Sequence, residues 1–87
     1  MKITHRDGKF SMQTEHGEAE LKYRIEGKHM SIYHTFVPEK DRGKKIGAHL
    51  TKAAFAFATQ HELKVKPDCS YTEHFLKTHK EMRIYAV

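Results

Sequence analysis

Two groups of residues in this 87-residue sequence have the types and spacing to do chemistry. The first is the basic, glycine-bearing run Arg42-Gly43-Lys44-Lys45-Ile46-Gly47-Ala48. It follows a strand-like segment ending in Phe36-Val37-Pro38 and opens the long helical pattern of the chain. Backbone N–H groups of a first helical turn have no partner inside the helix, and the helix dipole adds partial positive charge there, so such a turn can cradle an anion. Arg42, Lys44 and Lys45 add cations, and the chemistry they point to is the holding of a cofactor's phosphates. The run is neither a Walker A loop nor the dinucleotide fingerprint Gly-x-Gly-x-x-Gly. A purely structural account, in which Gly43 breaks the corner and Gly47 allows close packing, explains the spacing equally well.

The second group surrounds the single Cys69, which directly precedes Ser70 and Tyr71. A thiol at a helix N-terminus has its thiolate stabilised, while Asp68 next door acts against it. A thiolate there could accept an acyl group, or the thiol could give a proton to a departing sulfur. An inert buried cysteine is the third account. The eight histidines form no His-Glu-x-x-His. Cys69, His74 and His79 are five apart, which does not stack them on one helical face, so no structural metal site is expected. His34 is a candidate base or a core histidine, and Glu73 and Glu81 rank below it.

These groups need elements to position them. Lys9–Thr14 alternates apolar and polar residues and reads as a short strand, after an end segment to Thr4 that is loose or an edge strand. Ala19, Leu21, Tyr23 and Ile25 alternate with Glu20, Lys22, Arg24 and Glu26, the period of a strand with one covered and one wet face. Glu26-Gly27-Lys28 reads as a hairpin turn. His29–Val37 then places Met30, Ile32, His34 and Phe36 on one side and Ser31, Tyr33, Thr35 and Val37 on the other. From Gly43 to Gln60, Ile46, Leu50, Ala53, Ala54 and Phe57 form one helical stripe. Leu63–Lys66 is a strand expected to run parallel to 29–37. Ser70-x-x-Glu73 has the form of a capping box opening a shorter helix to Thr78. Ile84–Val87 is a final strand or a tail. The order is β-β-β-α-β-α, with or without a last β, an α+β domain built on a mostly antiparallel sheet.

The segment from His34 to Leu50 resembles the acetyl-CoA motif of the GNAT superfamily of N-acetyltransferases, Arg/Gln-x-x-Gly-x-Gly/Ala after a splayed strand. Arg42 matches its first position and Gly47 its last, while Lys45 stands at the middle glycine. Leu63–Tyr71 and Phe75–Glu81 resemble the small single-domain GNAT-like proteins of the YjdJ type, which carry a cysteine where Cys69 stands. The resemblance covers roughly residues 9 to 83. It implies acetyl-CoA as cofactor, with Phe36, Val37, Arg42, Gly43, Lys44, Lys45, Ile46, Gly47, Ala48 and Tyr71 binding it. It also implies acetyl transfer to an unidentified amine acceptor, protein or small molecule, with Cys69 near the thioester.

The totals bound the reading. Eighty-seven residues make one domain with a modest core. A net charge of +5 favours an anionic partner. No apolar run is long enough to span a membrane, and one cysteine fits a reducing, cytoplasmic setting. The alternatives are a CoA-binding domain without catalysis and a basic nucleic-acid-binding module. The mixed charge of Glu20, Lys22, Arg24 and Glu26 weakens the latter, since single-strand binders need exposed aromatics on a basic face.

Overall fold

The computed structural model describes residues 2–87, so Met1 lies outside it. Five strands form one sheet in sequence order: β1 (Ile3–Arg6), β2 (Lys9–Thr14), β3 (Gly17–Glu26), β4 (His29–Phe36) and β5 (Lys64–Pro67). The first four are antiparallel neighbours, and β5 runs parallel to β4. Helix α1 (Ile46–Gln60) makes the crossover from β4 to β5, and α2 (Ser70–Thr78) follows. The mixed α+β architecture read from the periodicities is therefore present. The opening segment is an edge strand, and the last residues form a short 3-10 helix, Lys80–Tyr85, with an isolated parallel bridge from Ala86 to Val65. Among the described residues, no helix is long and apolar enough to cross a membrane.

The alternation of β3 puts Ala19, Leu21 and Tyr23 into the core, where Leu50, Ala54, Phe55 and Ala58 of α1 cover them. Small residues at 54 and 58 let the helix lie close on the sheet. Phe75 brings α2 against α1, its ring 5.7 Å from that of Phe55. The opposite face of β3 and β4 remains wet, with Arg24 stacked over exposed Tyr33.

Three local expectations need correction. Strict alternation along β4 fails at Tyr33: Tyr23 pairs with Ile32 but Lys22 pairs with His34, so one extra residue bulges out. A bulge reverses which side chains face the core beyond it. Met30 and Ile32 are buried, but His34 turns outward to Glu20 at 3.2 Å and Phe36 is 44% exposed. Second, α1 begins at Ile46 rather than Gly43, because Gly43 (φ 88°) and Lys45 (φ 64°) adopt left-handed backbone that no α-helix contains. Third, the Ser70–Glu73 capping box does not form: Cys69 occupies the N-cap position in extended conformation, and no side chain caps α2.

Candidate functional site

Pro38 ends β4, since proline has no N–H for the ladder, and the chain passes through a 3-10 turn, Glu39–Asp41. Asp41 fastens this turn to the rest of the domain. Its side chain is buried, and its Oδ2 accepts from the Thr14 hydroxyl (2.7 Å) and the His16 N–H (3.0 Å) at the tip of the β2–β3 hairpin. Its Oδ1 accepts from Lys44 Nζ at 2.9 Å. Burial alone would raise the carboxyl's pKa, but the Lys44 ammonium, the Thr14 hydroxyl and the His16 N–H outweigh it and hold the pKa at about 2. Lys44 also reaches Glu15 at 3.2 Å, and these partners push its own pKa up. Glu15, His16 and Asp41 have ligand atoms within 4.8 Å of one another, but the Lys44 ammonium is bonded to two of the three, Glu15 and Asp41.

Beyond this anchor the chain reaches α1, whose first residues line a cavity. Arg42 Nε donates to the Val37 carbonyl at 3.0 Å, laying the guanidinium along the cavity rim. The first helical i to i−4 bond runs from the His49 N–H to the Lys45 carbonyl. Ahead of it, Ile46, Gly47 and Ala48 all line the cavity, no side chain caps the helix, and its first turn holds no acid. Gly47 is required for a second reason. A Cβ there would lie 2.6 Å from the Tyr71 hydroxyl and 2.7 Å from its ring carbon, so the glycine is what lets Tyr71 of α2 close on α1. Burial pushes the Tyr71 phenol's pKa up, keeping it protonated at neutral pH.

The second wall is the end of β4. Parallel pairing with β5 stops at Ile32–Pro67, and the Asp68 N–H to the Ile32 carbonyl, 3.0 Å, is the last rung. The chain then turns through Cys69 into α2, and from Tyr33 to Phe36 β4 keeps its pairing to β3 but has no β5 beside it. Because of the bulge, Thr35 and Val37 point into the resulting opening. Cys69 Sγ donates to Thr35 Oγ1 at 3.6 Å. The opening and the start of α1 together form one cavity of about 490 Å³.

Of the candidate residues read from the sequence, Val37, Arg42, Gly43, Lys45, Ile46, Gly47, Ala48 and Tyr71 line this cavity. Phe36 points to the opposite face, Lys44 is engaged by Asp41 and Glu15, and half-buried Cys69 stands beside it through Thr35. Sequence reasoning missed Asp41 and Thr35. Asp41 looked like part of a charged surface patch, and its i,i+3 spacing to Lys44 was the one local signal, since its other partners are 25 and 27 residues away. Thr35 was assigned to the wrong face because the bulge leaves no mark in the alternation.

The geometry agrees with three comparisons. Residues 9–85 match the family described as GCN5-related N-acetyl-transferase. Protein NATD1 of Danio rerio is 41% identical over 63 residues, which are 71% of this chain and 57% of that protein. Protein NATD1 of Homo sapiens is 38% identical over 63 residues, 71% of this chain and 56% of its own length. The chain thus spans less than two thirds of these curated relatives. The solution structure of a GCN5-like protein from Staphylococcus aureus superposes with a TM-score of 0.77 at 24% identity, covering 99% of this chain and 87% of the other. That likeness is one of fold.

Proposed function

Because this chain belongs to the GCN5-related N-acetyltransferase family, we propose that it binds acetyl-CoA at the start of α1 and in the β4–β5 opening and transfers the acetyl group to an amine. The observation that carries this reading is that an uncapped, acid-free helix start and the β4 edge that β5 leaves free open onto the same cavity. The residues present fit the cofactor. Gly47 lets Tyr71 close on the first turn of α1 beside the cavity, and Arg42 and Lys45 add positive charge at the rim. These cations and the N–H groups of that turn would hold the pyrophosphate. The free edge of β4 near Phe36 and Val37 would take the pantetheine amides.

Acetyl-CoA supplies an acetyl group activated as a thioester. The protein's part is largely positioning together with a proton for the departing sulfur. Two donors flank the opening: the Tyr71 phenol, kept protonated by burial, and the Cys69 thiol beside Thr35. We assign the proton to Cys69, which stands where β4 and β5 part. The acceptor is an amine, and the free cysteine suits the cytoplasm. A CoA-binding domain without catalysis is the second reading, motivated by Lys45 at the position of the motif's middle glycine.

Calorimetric titration with acetyl-CoA tests the first reading. Saturable binding that weakens about tenfold or more on Arg42→Glu supports it. Failure of acetyl-CoA to bind, with salt-sensitive binding of nucleic acid instead, would overturn it. Mass spectrometry of amine acceptors incubated with labelled acetyl-CoA follows transfer. Cys69→Ala should keep CoA affinity and lose transfer, and full activity in that variant removes Cys69 from the mechanism.

A further inference from the structure

Coenzyme A differs from other nucleotide thioesters by a phosphate on its ribose 3′-oxygen, and the site described above leaves that group without a partner. Resting on acetyl-CoA binding as read above, we propose that the outward ridge of α1 formed by Lys45, His49 and Lys52 is the subsite for that 3′-phosphate. The three residues are spaced i, i+4 and i+7, so they form one row on the helix, about 10 Å long. All three are exposed, and they lie opposite the buried row of Leu50, Ala54 and Ala58. The row starts at the cavity, because Lys45 lines it.

Among the described residues the ridge lysines, like Lys40 and Arg42, are free of the carboxylate partners that hold Lys44. Lys44 binds two carboxylates, and Lys9, Lys22 and Lys66 each have acidic partners. Neither Lys45 nor Lys52 enters an ion pair among the described residues. Lys45 also holds left-handed backbone (φ 64°), where glycine would fit without strain. A side chain kept at a backbone position that disfavours one is accounted for if that side chain binds something. The Lys45 ammonium then meets the ligand where its phosphates leave the cavity, and Lys52 extends positive charge one turn beyond His49. A doubly charged monoester phosphate matches such a row of cations.

The test compares CoA with 3′-dephospho-CoA by calorimetry, using wild type, Lys45→Gly, Lys45→Gln and Lys52→Gln. The wild type should prefer CoA by about tenfold or more, and the preference should shrink as salt rises. Lys52→Gln should lose most of that preference with little change in affinity for dephospho-CoA, while the Lys45 variants should lose the preference and, because Lys45 also faces the pyrophosphate, weaken both ligands. Lys45→Gly should also melt at a higher temperature, because the strain is gone. Equal affinity of the wild type for the two ligands overturns the inference and leaves acetyl-CoA binding intact. A preference for CoA that survives all three substitutions places the subsite elsewhere and also overturns it. If neither ligand binds the wild type, the acetyl-CoA reading itself fails, and the subsite with it.

Discussion

The two helices of this domain begin in different ways. At the start of α2, Cys69 is extended, Ser70 and Tyr71 follow, and Glu73 puts a carboxylate in the first turn. At the start of α1, Lys45 is left-handed, no acid lies in the first turn, and Arg42 and Lys45 stand beside three residues that line a cavity. Neither helix has a side-chain cap. An acid in the first turn offsets the positive end of a helix dipole. The chain supplies that acid to α2 and withholds it from α1, adding cations instead. The start of α2 is offset within the fold, and the start of α1, with no such acid, opens onto the cavity proposed for acetyl-CoA. What keeps the α1 start in place must then come from elsewhere, and Asp41 provides it.

Removing that anchor should have the largest effect. Asp41→Ala leaves the Thr14 hydroxyl and the His16 N–H without their acceptor and frees the turn before α1. The expected result is a clear fall in melting temperature, followed by circular dichroism, and loss of acetyl-CoA binding. The pH dependence carries the same signature. The folded carboxyl has a pKa of about 2 against 3.8 for the free group. Its contribution to stability is therefore full above about pH 4 and is lost as pH falls through that window toward 2. In Asp41→Asn the acid-induced loss of stability between pH 4 and pH 2 should be smaller. An unchanged acid limb would show that the carboxylate is not what holds the turn.

Gly47 comes next, because it joins the two helix starts. In Gly47→Ala the new methyl meets the Tyr71 ring at 2.7 Å, and rigid overpacking of this kind costs about 1–3 kcal/mol. Affinity for acetyl-CoA should fall with it, since the ring or the helix start must move. In a Tyr71→Ala background the same change should be neutral to stabilising by up to about 1 kcal/mol, as the space is then free and alanine is the better helix former. A double-mutant cycle in denaturant measures this coupling. Additive effects would mean that the contact does not constrain the site.

How much of this was legible in the sequence follows from which interactions are local. The alternation along Ala19–Tyr23 and the helical stripe from Ile46 to Phe57 are short-period patterns, and the sheet and α1 follow them, whereas Ile25, expected on the covered face, is 49% exposed near the end of β3. The basic run that lines the cavity could be located because glycines, cations and a helix start are adjacent in the chain. The bulge at Tyr33 could not be found, since it arises from the register between two strands and both registers keep β-like alternation. It moved Thr35 into the opening and Phe36 out of it. The burial of Asp41 was equally hidden, because the hairpin tip that covers it is more than twenty residues away. Lys45 was read as a departure from a motif. Its φ of 64° shows that the backbone conformation a glycine would provide is present with a lysine in its place.

The smallest effect tests the other half of the comparison. Ser70 looks like an N-cap in the sequence, and replacing a true serine N-cap by alanine costs about 1 kcal/mol. In the structure Ser70 is the first residue inside α2 and makes no capping bond, because Cys69 holds the N-cap position. Ser70→Ala should therefore change stability by no more than about 0.5 kcal/mol, as an ordinary surface substitution does. Glu73→Gln should cost about 0.3–1 kcal/mol, because it removes the charge that faces the helix dipole. Both variants should keep acetyl-CoA affinity. A loss of 1 kcal/mol or more in Ser70→Ala, measured by urea unfolding, would mean that serine caps α2 in solution and that Cys69 lies one residue outside the helix. The thiol would then be less rigidly held beside Thr35, and its assignment as proton donor would lose its geometric basis.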